Sequence, residues 1–212
     1  MSDHTVELHI DPVCPWAWLT SRWLYEAERI RPFTVVTKFF SLAEVNRAED
    51  DKRDTHNAGE RALRVLVAAR REGGEAAIRA LYTEMGEAHH EREEGLGDDS
   101  LRAAVTKAGM DPQLVDEALA DPSTLTELLG EHGQAIGRGA FGVPSLSIDG
   151  SPPYFGPVVD TRITGEDAGR LWDMVAPLLV EPHLFELKRS RTNDPEVGRY
   201  AAKRAEVAAA AG

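Results

Sequence analysis

Hydrophobic and polar positions alternate at the start of the chain. Val6, Leu8 and Ile10 interleave with Thr5, Glu7 and His9, the two-residue period of a strand with one buried face. Asp11-Pro12 ends it. The period then lengthens: Trp16, Leu19, Trp23, Ala27 and Ile30 recur at steps of three and four, one stripe of an amphipathic helix. Pro15 suits the first helical position, where its fixed φ fits and its missing N–H would have had no partner. Phe33 to Phe40 is β-branched and aromatic and reads as a second strand. Strand, helix and strand make a βαβ unit, with parallel strands and a right-handed crossover. Ser41 reads as a helix cap, and residues 49–54 as a charged, solvated loop.

Strand signals vanish from about His56 to Gly137. Ala62, Leu63, Leu66, Val67 and Ala69 mark one helical face, and Ile78, Leu81, Tyr82 and Met85 another, with Gly73-Gly74 between them. Asp111-Pro112 and Asp121-Pro122 each pair an N-cap with proline and open two more helices. A block of about five helices is expected, with acidic loops at residues 91–94 and 98–99. β character returns from Val143 to Ile148; Asp149-Gly150 is a hairpin signal, and Tyr154-Phe155 sits in a second short strand. Gly165 to Leu179 is helical, with Leu171, Trp172, Val175 and Leu178 as its inward stripe, and Pro182 ends it. Leu184 to Leu187 should add a packed turn or short helix, and Tyr200 to Gly212 a helix or frayed tail.

The division expected is an α/β sheet unit from residues 1–55 and 138–192, a helical insertion at 56–137, and a tail at 193–212. A chain of 212 residues with 42% hydrophobic and 28% charged residues can bury a real core. A net charge of −12 argues against nucleic acid or an anionic membrane as a partner. No stretch is long and apolar enough to span a membrane. The first residues lack a signal-peptide pattern, and one cysteine excludes an intramolecular disulfide. The cytoplasm is the expected compartment.

That one cysteine, Cys14, falls at the N-cap of the first helix. A sulfur there faces the N–H groups of Trp16 and Ala17 and the positive end of the helix dipole, and both favour thiolate. Cys14 should therefore titrate below the usual thiol value of about 8.5. A lone cysteine is otherwise a small buried apolar residue. Trp16, beside the sulfur, divides between site and packing roles. His89-His90 lacks metal-ligand spacing, so no metal is expected. Gly137 to Gly142 precedes a strand instead of opening a helix, and reads as a flexible approach to Pro144, not a nucleotide loop. Lys188-Arg189-Ser190-Arg191 is a small basic cluster, solvated unless it grips acidic groups on a thiol partner.

The order β-α-β, helical block, β-β-α, with Cys14-Pro15 at the first helix and Val143-Pro144 at the third strand, resembles the thioredoxin fold in its DsbA-like form. Residues 11–23 (Asp-Pro-Val-Cys-Pro-Trp onward), Phe155-Gly156-Pro157, residues 165–172 and residues 183–192 narrow it. They look like the mycothiol-dependent nitroreductase branch. The resemblance implies a cis Val143-Pro144 bond facing Cys14, and helices roofing a cleft. It implies reduction of nitroaromatic compounds with electrons from mycothiol, with no tightly bound cofactor. By position, Asn46 and His90 match polar residues of the family's cleft; Pro15, Trp16, Val143 and Pro144 complete the binding set around Cys14. Characterised members carry a second cysteine three residues after the first, where this chain has Ala17, whether by natural variation or by replacement.

The leading function is thus a monothiol oxidoreductase working through a mixed disulfide of Cys14 with a small thiol, and acting on nitroaromatics or disulfides. The alternatives are a thiol-cofactor isomerase or transferase, as in the chromene-carboxylate isomerase and kappa glutathione transferase groups, and a non-catalytic binding module.

Overall fold

A computed structural model describes residues 4–48, 53–198 and 201. Four strands form one sheet in the order β2-β1-β3-β4. These are β1 (His4–Ile10), β2 (Phe33–Phe39), β3 (Ser145–Ile148) and β4 (Tyr154–Phe155). β1 and β2 run parallel, with Leu8 opposite Thr37, and β3 lies antiparallel to β1, with Leu146 opposite Leu8. Asp149 and Gly150 both take positive φ, 49° and 78°, the backbone of a tight hairpin turn that only such residues enter readily.

The first helix, α1 (Pro15–Glu28), buries more than one stripe. Leu19, Trp23 and Ala27 are fully buried as their spacing predicts, but Ile30 lies past the helix end and is exposed. Trp18, off the predicted stripe, is fully buried on a second face. It packs edge-on to Tyr82 and nearly parallel to His90, and its indole N–H donates to Glu91 Oε1 at 2.9 Å. Gly86 makes this possible, because a Cβ there would fall 2.2 Å from the indole ring. The helix is therefore sandwiched, and periodicity alone sees only one of its two partners.

Between β2 and β3 stand the short α2 (Leu42–Val45), α3 (Arg53–Gly86), a π-helical turn (Glu87–Glu91), α4 (Asp98–Lys107), α5 (Leu114–Ala120) and α6 (Pro122–Gly137). Ser41 caps α2 by accepting from Glu44 N–H, and Asp121 caps α6 by accepting from Ser123 N–H. α3 bends at Gly74, whose φ of 63° no helix contains; the Gly73-Gly74 pair is thus a kink between two helical faces. Of the two expected acidic loops, residues 92–94 do form one, after Glu91 has ended the π turn, whereas Asp98 and Asp99 form the first turn of α4, where carboxylates suit the helix dipole.

The last helix, α7 (Gly165–Leu179), packs on α1. Trp172 stacks on Phe33 at 4.0 Å and Trp23 N–H donates to Ala168 O. Its inward stripe is Ala168, Trp172 and Leu179, with Leu171 and Val175 at the margin; Leu178 is exposed, because the stripe drifts with the 3.6-residue turn. Leu184 to Leu187 forms no helix or packed turn, and Phe185 and Leu187 are 88% and 78% exposed. In the segment leading to Pro144, Arg138 bonds Glu7, Ser147 Oγ and the Ser151 carbonyl. Most of the expected C-terminal tail, and residues 49–52 of the charged loop, lie outside the described residues.

β2 is an edge strand, and its outward N–H groups are capped by side chains. Glu28 accepts from Val35 N–H, Glu75 from Thr37 N–H and Glu131 from Phe39 N–H, at 2.7, 3.0 and 3.1 Å. Three carboxylates from three helices thus occupy donors that could otherwise recruit another strand.

Candidate active site

The site begins where β1 ends. Asp11 is fully buried, and its carboxylate accepts from Val13 N–H at 3.1 Å and from Leu42 N–H at 2.8 Å. The Asp11 carbonyl accepts from Cys14 N–H at 3.0 Å. This folds residues 11–14 into a tight loop that presents Cys14 at the N-terminus of α1. From the helical side, His90 Nε2 donates to the Pro12 carbonyl at 2.8 Å. A Cβ on Gly59 would lie 2.6 Å from Asp11 Oδ1 and 3.0 Å from Val13, so α3 presses directly on the loop.

Cys14 caps α1 as its position predicts: Sγ accepts from Ala17 N–H at 3.4 Å, and the Trp16 amide also favours its charged form. The thiol in turn lies 3.7 Å from the Val143 carbonyl, to which it donates. The Val143-Pro144 bond is cis and lies beside the sulfur. Gly156-Pro157 is also cis, and Gly156 N–H donates to the Pro144 carbonyl, holding that loop against β4.

The electrostatic expectation for Cys14 is reversed. Burial pushes its pKa up to about 11, against the pull of the Ala17 and Trp16 amides; the Asp11 charge adds to the rise and Arg191 opposes it. The physical reason is the lining. Ala17, Phe40, Ala135, Ala140 and Val143 are all apolar and leave Cys14 only 8% exposed. Two amide dipoles do not offset the loss of water around a thiolate. Burial also acts on its neighbours. It holds the Asp11 carboxyl protonated to about 7, against the amides of Leu42 and Val13. It pushes the His90 imidazole down to about 3, so His90 is neutral.

The sequence-predicted residues do not all meet at one point. Trp16 and Val143 pack in the cluster around Cys14, Pro15 follows the sulfur as the first residue of α1, and Pro144 follows Val143 across the cis bond. His90 reaches the loop from beneath, 7% exposed, instead of opening onto free space. Asn46 donates to the Leu42 carbonyl and lines a neighbouring polar cavity of about 410 Å³ with Glu44, Arg47, His56 and Glu60. Leu42 is the link, since it also packs against the Cys14 cluster.

Sequence reading missed three contributors. Asp11 looked like a strand terminator; only the buried amides of Val13 and Leu42 reveal a site carboxyl. Phe141 and Phe155 stack at 5.2 Å beside the cis-proline loop, 67% and 41% exposed, and no periodic signal marks them. Arg191 places its guanidinium 5.0 Å from the centre of the Trp16 ring; the basic cluster was its only trace.

Comparison with known proteins shows the family and the fold. The family model described as Rv2466c-like, mycothiol-dependent nitroreductase Rv2466c, matches residues 13–189. An uncharacterised protein of Mycobacterium tuberculosis, Rv2286c, is 30% identical over 192 residues, which cover 89% of this chain and 83% of that protein. Among solved structures, a thioredoxin-like oxidoreductase from Silicibacter pomeroyi superposes with a TM-score of 0.59 at 16% identity, covering 83% of this chain and 86% of its own. A 2-hydroxychromene-2-carboxylate isomerase superposes with a TM-score of 0.56 at 18% identity, covering 82% and 94%. At these identities the two structures establish a shared fold.

Proposed function

The chain belongs to the Rv2466c-like, mycothiol-dependent nitroreductase family, and from that premise we propose that it is a monothiol oxidoreductase with Cys14 as nucleophile and mycothiol as the reducing partner. The observation that carries the reading is the position of the sulfur: between Ala17 N–H and the Val143 carbonyl, at the mouth of α1 and beside the cis-proline loop.

With Ala17 in place of a second cysteine, the chain cannot close its own disulfide. Joining Cys14 and one mycothiol as a mixed disulfide releases two electrons and two protons. A nitro group takes these up in becoming a nitroso group and water. A second mycothiol attacks the cofactor sulfur of the mixed disulfide, restores the Cys14 thiolate and leaves as mycothiol disulfide. If the acceptor is itself a disulfide, the Cys14 thiolate attacks it and expels one half as a thiol; one mycothiol then attacks the Cys14 sulfur and displaces the other half as a thiol, and a second mycothiol frees Cys14 and leaves as mycothiol disulfide. In this reading the segments 1–55 and 138–192 carry the thiol chemistry, and 56–137 supplies the wall; the Asn46 cavity for the acceptor lies where the two meet, with Glu44, Asn46 and Arg47 from the first and His56 and Glu60 from the second. His90 acts as a positioning residue through Pro12. A partner that brings polar groups against the sulfur lowers the pKa that burial raises.

The test is the intact mass of the protein after incubation with oxidised mycothiol. One mycothiol adduct, absent in Cys14→Ser, is expected; an unmodified Cys14 overturns the reading. A second reading is favoured by one observation, the burial that holds Cys14 as a neutral thiol. Such a thiol could donate a hydrogen bond to a cofactor's own thiolate, in a transferase or isomerase. Turnover that survives Cys14→Ser would select it.

A further inference from the structure

The C-terminal segment after α7 has no regular structure between Glu181 and Arg191, yet it is anchored beyond. Asn193 Nδ2 donates to Asp160 Oδ2 at 2.8 Å, Glu196 N–H donates to the Asp160 carbonyl at 2.7 Å, and Val197 is buried. Gly198 abuts the His90 carbonyl, where a Cβ would lie 2.6 Å away. The segment is thereby led across the mouth of α1. Arg191 meets the Trp16 ring there at 5.0 Å, a cation–π distance. Trp16 packs against the Cys14 cluster, so the guanidinium stands at the edge of the reactive sulfur. No carboxylate among the described residues pairs with Arg191, whereas Arg70, Arg79, Arg138 and Arg162 are all paired. The chain's net charge of −12 would repel an approaching anion. A guanidinium with free donors at the mouth offsets that locally and offers a carboxylate two parallel hydrogen bonds. The family match ends at residue 189 and does not include it.

We propose that Arg191, held over Trp16 at the mouth of the Cys14 site, selects acceptors that carry an anionic group beside their reactive atom. The proposal rests on Cys14 being the nucleophile, and its test separates the two. Iodoacetate and iodoacetamide are nearly the same size, and each alkylates a thiolate by forming a carbon–sulfur bond and releasing iodide. They differ in charge. Their rates with Cys14 are measured by intact mass at one pH in the wild type, Arg191→Gln and Arg191→Lys. Taking the ratio of the two rates cancels any change in thiolate fraction. The iodoacetate-to-iodoacetamide ratio should fall by about threefold or more in Arg191→Gln, and largely persist in Arg191→Lys, as loss and retention of a charged partner require. Raising salt from about 0.1 M to about 1 M shortens the screening length from about 10 Å to about 3 Å, and should erase the preference in the wild type only. An unchanged ratio in Arg191→Gln, or equal slowing of both reagents, overturns the proposal while leaving Cys14 a nucleophile. A Cys14 inert to both reagents overturns that premise, and the selection with it.

Discussion

His90 Nε2 lies 2.8 Å from the carbonyl oxygen of Pro12, and this bond ties the π-helical turn to the loop that carries Cys14. His90 also stacks on Trp18, with ring centres 6.1 Å apart. His90→Phe keeps the stack but leaves the Pro12 carbonyl without its donor, and should cost about 1–3 kcal/mol in urea unfolding at neutral pH. His90→Gln, which can still donate, should cost less. There is also a pH signature. The folded state holds the His90 pKa down to about 3, from an ordinary 6.5. Stability is therefore full above the unfolded value and lost as pH falls from 6.5 toward 3. His90→Gln should blunt that acid loss, and an unchanged acid limb in thermal melts would refute it.

Asp11 gives the opposite slope. Its carboxyl ionises near 3.8 when unfolded and stays protonated to about 7 when folded. Between those values the unfolded chain gives up a proton that the folded chain keeps, so this group lowers stability as pH rises. Asp11→Asn removes the titration, while losing one of two acceptors at every pH. The stability of Asp11→Asn relative to wild type should improve by a few kcal/mol between about pH 4 and about pH 8. A difference that stays flat across that window would show that Asp11 is ionised in the fold.

Ala17→Cys places a second thiol one helical turn after Cys14, a separation that a disulfide can bridge. A neighbouring thiol can donate to the Cys14 thiolate and lower its pKa from the value set by burial. The midpoint of Cys14 alkylation against pH should therefore move down. After mild oxidation with mycothiol disulfide, the variant should lose two hydrogens instead of keeping an adduct. A persistent adduct would mean that the second sulfur cannot reach the first.

Glu75 accepts from both Thr37 N–H and Thr37 Oγ1, at 3.0 and 2.6 Å, on the outer edge of β2. Glu75→Ala strands that amide and should lower stability by about 1–2 kcal/mol. Combined with Glu131→Ala, it should raise light scattering on warming, since two edge donors are then open to another strand. A double variant that stays monodisperse would show that the edge is shielded by other means.

The sequence by itself determined the elements and the place of the sulfur. Alternation in β1, the Asp149-Gly150 turn and proline after Cys14 are local preferences of backbone and side chain, and they act over a few residues. The thioredoxin-like order and the N-cap position of Cys14 follow from them. Only the tertiary structure decided what surrounds these pieces. Trp18 is buried because Gly86, far along the chain, lets α3 approach. Asp11 became a site carboxyl because Leu42 N–H arrives from after β2. The Cys14 pKa follows from Phe40, Ala135, Ala140 and Val143 converging on one atom. Desolvation depends on everything within a few ångströms, whatever its distance in sequence, so a local pattern can place a nucleophile without setting its charge.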